Sequence, residues 1–244
     1  MHTINPLMRT MQYDIPNLTG FWDCIMITEY THKEINVLLQ EVLKDAQIKV
    51  GFDCSSSVEI LQRITADILP LAEEDLSSYV QRDPALEGSY LLALDRSGPF
   101  RAVLSYRMSH RLWFHEDQTF GRKAAYAIYQ QARVLTGIEI HPGATIGTRC
   151  VIDHGSNTVI GSTVRIGTDA YILNGVTLGA RGISNNNSGR RHPTIGNRVQ
   201  IGSCARVLGN INIGDDVFVG PLACVTTDVP CCIKAQFKFM KMFL

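Results

Sequence analysis

Two histidines carry the chemistry legible in this sequence. His154 follows an acid in Ile152-Asp153-His154, and a second acid, Glu139, lies fifteen residues earlier. An imidazole with a carboxylate in reach makes a general base: the acid fixes tautomer and orientation, and the other ring nitrogen accepts a hydroxyl proton. A histidine hydrogen-bonded at a turn explains the same residues, and spacing alone leaves both readings open. His192 stands in Arg190-Arg191-His192-Pro193. Arginine grips a carboxylate or phosphate through two parallel hydrogen bonds, so this run suits an anion site; a solvated basic loop is the plainer alternative. Asp83, in Arg82-Asp83-Pro84-Ala85, reads as a turn or helix-end residue, and His141 before Pro142 as a structural corner. The histidines form no HxxxH or His-Cys-Cys pattern, so no metal is expected. No GxGxxG, P-loop or GxSxG is present, and Ser156 is therefore not read as a nucleophile.

Those residues need a scaffold, and beyond Gly137 the sequence repeats every six residues. Aliphatic anchors stand at Ile140, Ile146 and Ile152, then at Ile160, Ile166, Ile172 and Leu178, then at Ile195, Ile201, Val207, Ile213, Val219 and Val225. Glycine follows eight of the thirteen. Each hexad predicts a short strand and a corner, with the anchor pointing inward; three hexads close one triangular coil, and coils stack at about 4.8 Å. The period breaks twice. Ile152 to Ile160 is eight residues instead of six, and Leu178 to Ile195 is seventeen, where a polar loop ends in Arg191-His192. Each break carries a histidine, and loops projected from a rigid scaffold are where catalytic groups sit. Since 18 residues make a coil, Glu139 is expected about one corner from His154.

Before Gly137 the period is helical. Ile35, Leu38, Leu39, Val42, Leu43 and Ala46 predict a helix over 31–50. Ser55 to Ser57 offer caps for a second helix that Pro70 ends or kinks, residues 71–80 predict a third, and 100–113 and 123–135 complete the helical half. Residues 1–30 show no period. The expected domains are 1–137, helical; 138–230, the repeat; and 231–244, a tail. Among the 244 residues Lys plus Arg number 23 and Asp plus Glu 23. The broad positive field of nucleic-acid binding is missing, so nucleic acid is not an expected partner. No apolar window approaches a membrane span, and the start has no secretory pattern. Seven cysteines without CxxC spacing predict free thiols in a reducing cytoplasm.

The motifs GIEIHP at 137–142, IDHG at 152–155, VIG at 159–161, GVTLG at 175–179, RHP at 191–193 and LGNI at 208–211 resemble serine O-acetyltransferases. RDPA at 82–85 and the segment Ala102 to Trp113, with Tyr106, Arg107, His110 and Arg111, match the same family from about residue 75 to Pro230. The resemblance implies an α+β fold, an N-terminal α-helical domain followed by a left-handed parallel β-helix, assembled as a homotrimer or as a hexamer of two trimers. It implies transfer of acetyl from acetyl-CoA, the co-substrate, to the hydroxyl of L-serine in cysteine biosynthesis, without an acyl-enzyme and without metal. His154 would be the base and Glu139, where the family has Asp, the acid that orients it. Asp83 and Asp153 would meet the serine amino group, Arg191 and His192 its carboxylate, and His192 or a backbone N–H the oxyanion. Acetyl-CoA would pass Ala180, Ser203, Ala205 and Arg206.

Three features depart from the family pattern: Ser162 replaces an acid, Ala180 a glycine, and CCIKAQFKFMKMFL the usual segment after Pro230. A family tail enters cysteine synthase, so the resemblance leaves that enzyme a possible partner; here Leu244 is apolar but the residues before it are basic and aromatic instead of acidic, and the tail does not support it. Phe237, Phe239 and Phe243 read instead as a cap on the open end of the coils. The rival readings are an O-acetyltransferase for another small amino-acid or sugar hydroxyl, and a catalytically weak scaffold subunit.

Overall fold

The computed structural model describes residues 31–44, 58–96, 98–182, 184 and 188–235. The expectations for residues 1–30, for helix beyond residue 44, for the Ser55–Ser57 caps and for Phe237, Phe239, Phe243 and Leu244 lie outside them. The helical half comprises α1 (31–44), α2 (Val58–Arg82), α3 (Tyr90–Arg96), α4 (Gly98–Trp113) and α5 (Gln118–Thr136). Here two expectations are corrected. The predicted second and third helices are one, because α2 runs through Pro70. Pro70 and Ala66, whose carbonyl loses its partner, both lie on the exposed face, so water can satisfy that carbonyl while the apolar stripe from Leu61 to Val80 stays continuous. α3 had no expected counterpart.

Short strands follow in chain order: β1 (Glu139–Ile140), β2 (Thr145–Ile146) and β3 (Val151–Ile152); β4 (Val159–Ile160), β5 (Arg165–Ile166) and β6 (Tyr171–Ile172); β7 (Thr177–Gly179), β8 (Thr194–Ile195) and β9 (Gln200–Ile201); β10 (Arg206–Leu208), β11 (Asn212–Ile213) and β12 (Phe218–Val219); β13 (Cys224–Val225) and β14 (Lys234–Ala235). They stack into three parallel faces, β1-β4-β7-β10-β13, β2-β5-β8-β11 and β3-β6-β9-β12-β14. This is the expected α+β architecture, helices followed by a left-handed parallel β-helix. Glu139 pairs with Val159, Val159 with Thr177, and Thr177 with Arg206, so the register records both breaks in the hexads. The coils continue past the expected boundary at Pro230, since β14 pairs with β12.

All thirteen anchors are buried, each contributing roughly 1.5–3 kcal/mol relative to exposure. The residues two places before them, among them Ala144, Cys150, Val164, Ala170, Val176 and Ala205, also point inward, as strand alternation requires. The glycines after the second-face anchors serve stacking: a Cβ on Gly147 would fall 2.7 Å from Gly167, and one on Gly167 2.8 Å from Gly196. The first coil leaves an open edge of backbone groups, which the helices satisfy. Tyr106 Oη donates to the Ala144 carbonyl at 2.9 Å and accepts from Ile146 N at 3.1 Å. Tyr79 Oη does the same for Ile152, at 2.9 and 2.8 Å. Arg107 reaches the Ile146 and Gly147 carbonyls, each at 2.6 Å, from a salt bridge with Asp75 that is buried at both ends.

Candidate active site

The residues singled out by their chemistry gather at two corners of the prism. The corner from third face to first carries the two-residue bulge. There Gly155 N–H donates to Asp153 O at 2.6 Å and Thr158 N–H to Gly155 O at 3.0 Å, a tight local fold that projects His154. His154 itself has φ 56° and Gly155 φ 67°. A left-handed histidine costs about 1 kcal/mol, and a Cβ on Gly155 would strike Ile138 and Ile152. The His154 side chain is 79% exposed and Asp153 23%, with Asp153 Oδ1 3.9 Å from Nε2. Asp153 Oδ2 accepts a hydrogen bond from Tyr171 Oη at 3.0 Å.

Asp83 reaches the same corner from the helical half. It caps the turn Pro84–Leu86, its Oδ1 accepting from Ala85 N at 2.9 Å, as the turn reading expected. Its charge also bears on Tyr171: burial first, then Asp153, then Asp83 hold that phenol's pKa well above the usual range. Asp83 and Asp153 thus both act electrostatically on Tyr171.

Glu139 borders this corner, its N–H donating to the Thr158 carbonyl at 2.9 Å, while its carboxylate meets a different partner. It stands on the outer side of the first face, where Arg133 Nη1 from α5 approaches its Oε2 at 3.5 Å. The acid nearest the His154 imidazole in the described contacts is Asp153, so the structure does not pair Glu139 with His154.

The second group occupies the corner from first face to second. His192 is 7% exposed, and its ring lies over Gly161, where any Cβ would collide with it. Nδ1 accepts from Thr163 N at 3.1 Å, which places the proton of the neutral ring on Nε2. Burial first, then the charges of Arg191 and His141, lower its pKa to about 4, so the ring stays neutral near pH 7. Arg191 Nη2 donates to Ser162 Oγ at 3.0 Å. Ser162, where the family carries an acid, is the residue that holds Arg191. His141 is a corner residue as expected, with Nδ1 accepting from Gly143 N at 2.9 Å amid Trp113, Tyr126 and Tyr129.

Of the residues expected beside a cofactor, Ser203 stacks at the bulge corner, its hydroxyl 3.0 Å from Asn174 Oδ1. Arg206 is exposed on the first face in register with Thr177 and Cys224, and Ala180 is half-buried after β7. The side chain of Ala205 is 0% exposed because it is the inward residue two places before Val207, which leaves only its main chain for a ligand. Among the described residues no cluster of three or more His, Cys, Asp or Glu could hold a metal, and no helix is long and apolar enough to cross a membrane.

The bulge corner and the Arg191 corner are separated by the first face, about six residues or up to ~20 Å of extended chain. Asp153 and His154 stand at the first of these corners and Arg191 and His192 at the second.

Sequence reasoning missed Tyr171, Tyr79 and the hold of Ser162 on Arg191. Tyr171 stands opposite Val151, a 20-residue step that includes the bulge, so an 18-residue period does not predict its meeting with Asp153.

No protein-family model matches the chain. The serine acetyltransferase of Helicobacter pylori (strain ATCC 700392 / 26695) is 46% identical over 155 residues, 64% of this chain and 86% of that protein. The crystal structure of Neisseria gonorrhoeae serine acetyltransferase superposes with a TM-score of 0.72 at 31% identity, covering 88% of this chain and 86% of that one. A serine acetyltransferase in complex with CoA matches at a TM-score of 0.68 and 30% identity, covering 81% of this chain and 80% of that one.

Proposed function

Because the chain belongs to the serine acetyltransferase family, we propose that the bulge corner of one copy and the Arg191 corner of a neighbouring copy close around L-serine and the thioester of acetyl-CoA. The activity is O-acetylation of serine by acetyl-CoA, giving O-acetylserine and CoA. The observation that carries the shared site is the separation of the two corners, since each holds only half of what serine needs. A heterologous contact that closes on itself gives a ring, and a homotrimer, or two trimers joined as a hexamer, supplies one site per contact.

In this site Asp83 and Asp153 take the ammonium group of serine, and Arg191 takes its carboxylate. His154 accepts the hydroxyl proton as the oxygen attacks the thioester carbonyl. Glu139 turns from Arg133 to the imidazole in the substrate complex, a tightening that unliganded sites often await. The Nε2–H of His192 is a preformed neutral donor for an oxygen of the substrate or of the tetrahedral intermediate. When the intermediate collapses the C–S bond breaks, and the sulfur leaves with the proton that His154 had taken. Acetyl passes directly to serine with no acyl-enzyme. Acetyl-CoA lies along the bulge corner beside Ser203, with Arg206 and Ala180 beside it on the first face.

Release of free CoA thiol from acetyl-CoA, followed with L-serine, homoserine and a galactoside as acceptors, tests this reading. Release that depends on L-serine is expected. A galactoside preferred to serine, or no release from a folded oligomer, would overturn it.

A further inference from the structure

The two oxygens of Asp153 are used unequally. Oδ2 is fixed by Tyr171 Oη at 3.0 Å, while Oδ1 stands 3.9 Å from His154 Nε2. Tyr171 is itself held in place. It sits on β6, one coil beyond Asp153, with its backbone in the ladder opposite Val151. Its ring packs against the helical core, and the guanidinium of Arg82 lies over it, 4.8 Å from the centroid. Arg82 is tied in turn, Nη1 to the Asp169 carbonyl at 3.1 Å. A rigid phenol thus aims its proton at a carboxylate that has no other hydrogen-bond donor among the described contacts.

Without that donor, Asp153 is a short side chain at a corner, next to a left-handed histidine, free to change rotamer. Its nearest opposite charge would be a protonated His154, and a closed ion pair there would engage the carboxylate that the acceptor's amino group needs. A hydrogen bond to an ionised acceptor is among the stronger kind and fixes direction as well as energy. Preorganising the anchor removes the cost of ordering it when the ligand arrives.

We infer that Tyr171 is a positioning residue for acceptor recognition, its hydroxyl holding Asp153 in the orientation in which the carboxylate meets the ammonium group of serine. The inference rests on the assignment of Asp153 to that group. Because burial and the two nearby carboxylates raise its pKa, the phenol remains a donor across the whole working range. Nothing in the sequence pattern marks it, since in a hexad its position is simply an outward strand residue.

The test compares Tyr171→Phe, Asp153→Asn and the double variant for serine KM, acetyl-CoA KM, kcat and melting temperature. Tyr171→Phe is expected to raise serine KM about tenfold, the worth of one charge-assisted hydrogen bond, with a smaller change in kcat and none in acetyl-CoA KM. In the double variant it should add nothing to Asp153→Asn, because the hydroxyl acts only through that carboxylate. An unchanged serine KM in Tyr171→Phe, beside a raised one in Asp153→Asn, would overturn the inference and leave the site assignment standing. Losses that add in the double variant, or a lowered melting temperature, would make Tyr171 merely structural. If Asp153→Asn leaves serine KM unchanged, the site assignment fails and the inference fails with it.

Discussion

Replacing His154 with alanine is expected to lower kcat for serine acetylation by about 10²–10⁴-fold, the usual worth of a positioned general base. The expectation follows from the place of the residue in the fold. His154 is 79% exposed, so its removal empties no core. It also occupies a left-handed backbone position, and the bulge is held by backbone hydrogen bonds from Gly155, Ser156 and Thr158 that do not use the imidazole. Melting temperature and oligomer size should therefore match the unaltered protein, while serine and acetyl-CoA KM change little, because the lost interaction belongs to the transition state. Steady-state thiol release beside circular dichroism separates these. A loss of less than about tenfold would assign the proton transfer to another group.

The second large effect concerns stability. Asp75 is 0% exposed and Arg107 5%, joined by Nε to Oδ2 at 2.9 Å and Nη2 to Oδ1 at 3.1 Å. Arg107 also holds the carbonyls of Ile146 and Gly147, and Asp75 the amide of Cys150 at 3.0 Å, so this pair fastens the helical domain to the first coil. Replacing Asp75 with alanine leaves a guanidinium buried without its counter-charge, and the expected cost is about 3–5 kcal/mol. Denaturant unfolding at matched protomer concentration measures it, since assembly makes apparent stability depend on concentration. The pair Asp75→Leu with Arg107→Met should cost less than Asp75→Ala alone, because it removes both charges together. A loss under about 1 kcal/mol for Asp75→Ala would make the pair an ordinary surface-like contact.

How much of this could be read in the sequence depends on how far apart the interacting residues lie. The hexad anchors were legible because the repeat is local: each of the thirteen is buried, and the two phase breaks reappear as the 20- and 29-residue steps from Val151 to Tyr171 and from Tyr171 to Gln200. Contacts between coils were not legible in the same way. Tyr171 meets Asp153 only after the bulge sets the register, and a tyrosine on an outward strand position looks like any surface residue. Tyr79 and Asp75 are farther still, reaching Ile152 and Cys150 across 73 and 75 positions. Glu139 is a mixed case. Coil arithmetic put it near His154, and its N–H does bond the bulge at the Thr158 carbonyl, while its carboxylate meets Arg133, six residues earlier at the end of α5, at 3.5 Å. Pro70 misled for a related reason, since a helix breaker breaks little when it lies on the hydrated side of a long buried stripe. The two histidines were found because the pattern fails where they stand, and a scaffold seldom breaks its period without a local cause.

The central claim, a site shared between copies, is tested most directly by mixing two inactive variants. Chains carrying His154→Ala keep Arg191, and chains carrying Arg191→Ala keep His154. Unfolded together in equal amounts and reassembled, they should form one intact site at about one quarter of the contacts, and serine-dependent thiol release should return toward that fraction of the unaltered rate. Mixed oligomers that form but stay as inactive as either variant alone would place both residues in a site within one chain and contradict the account.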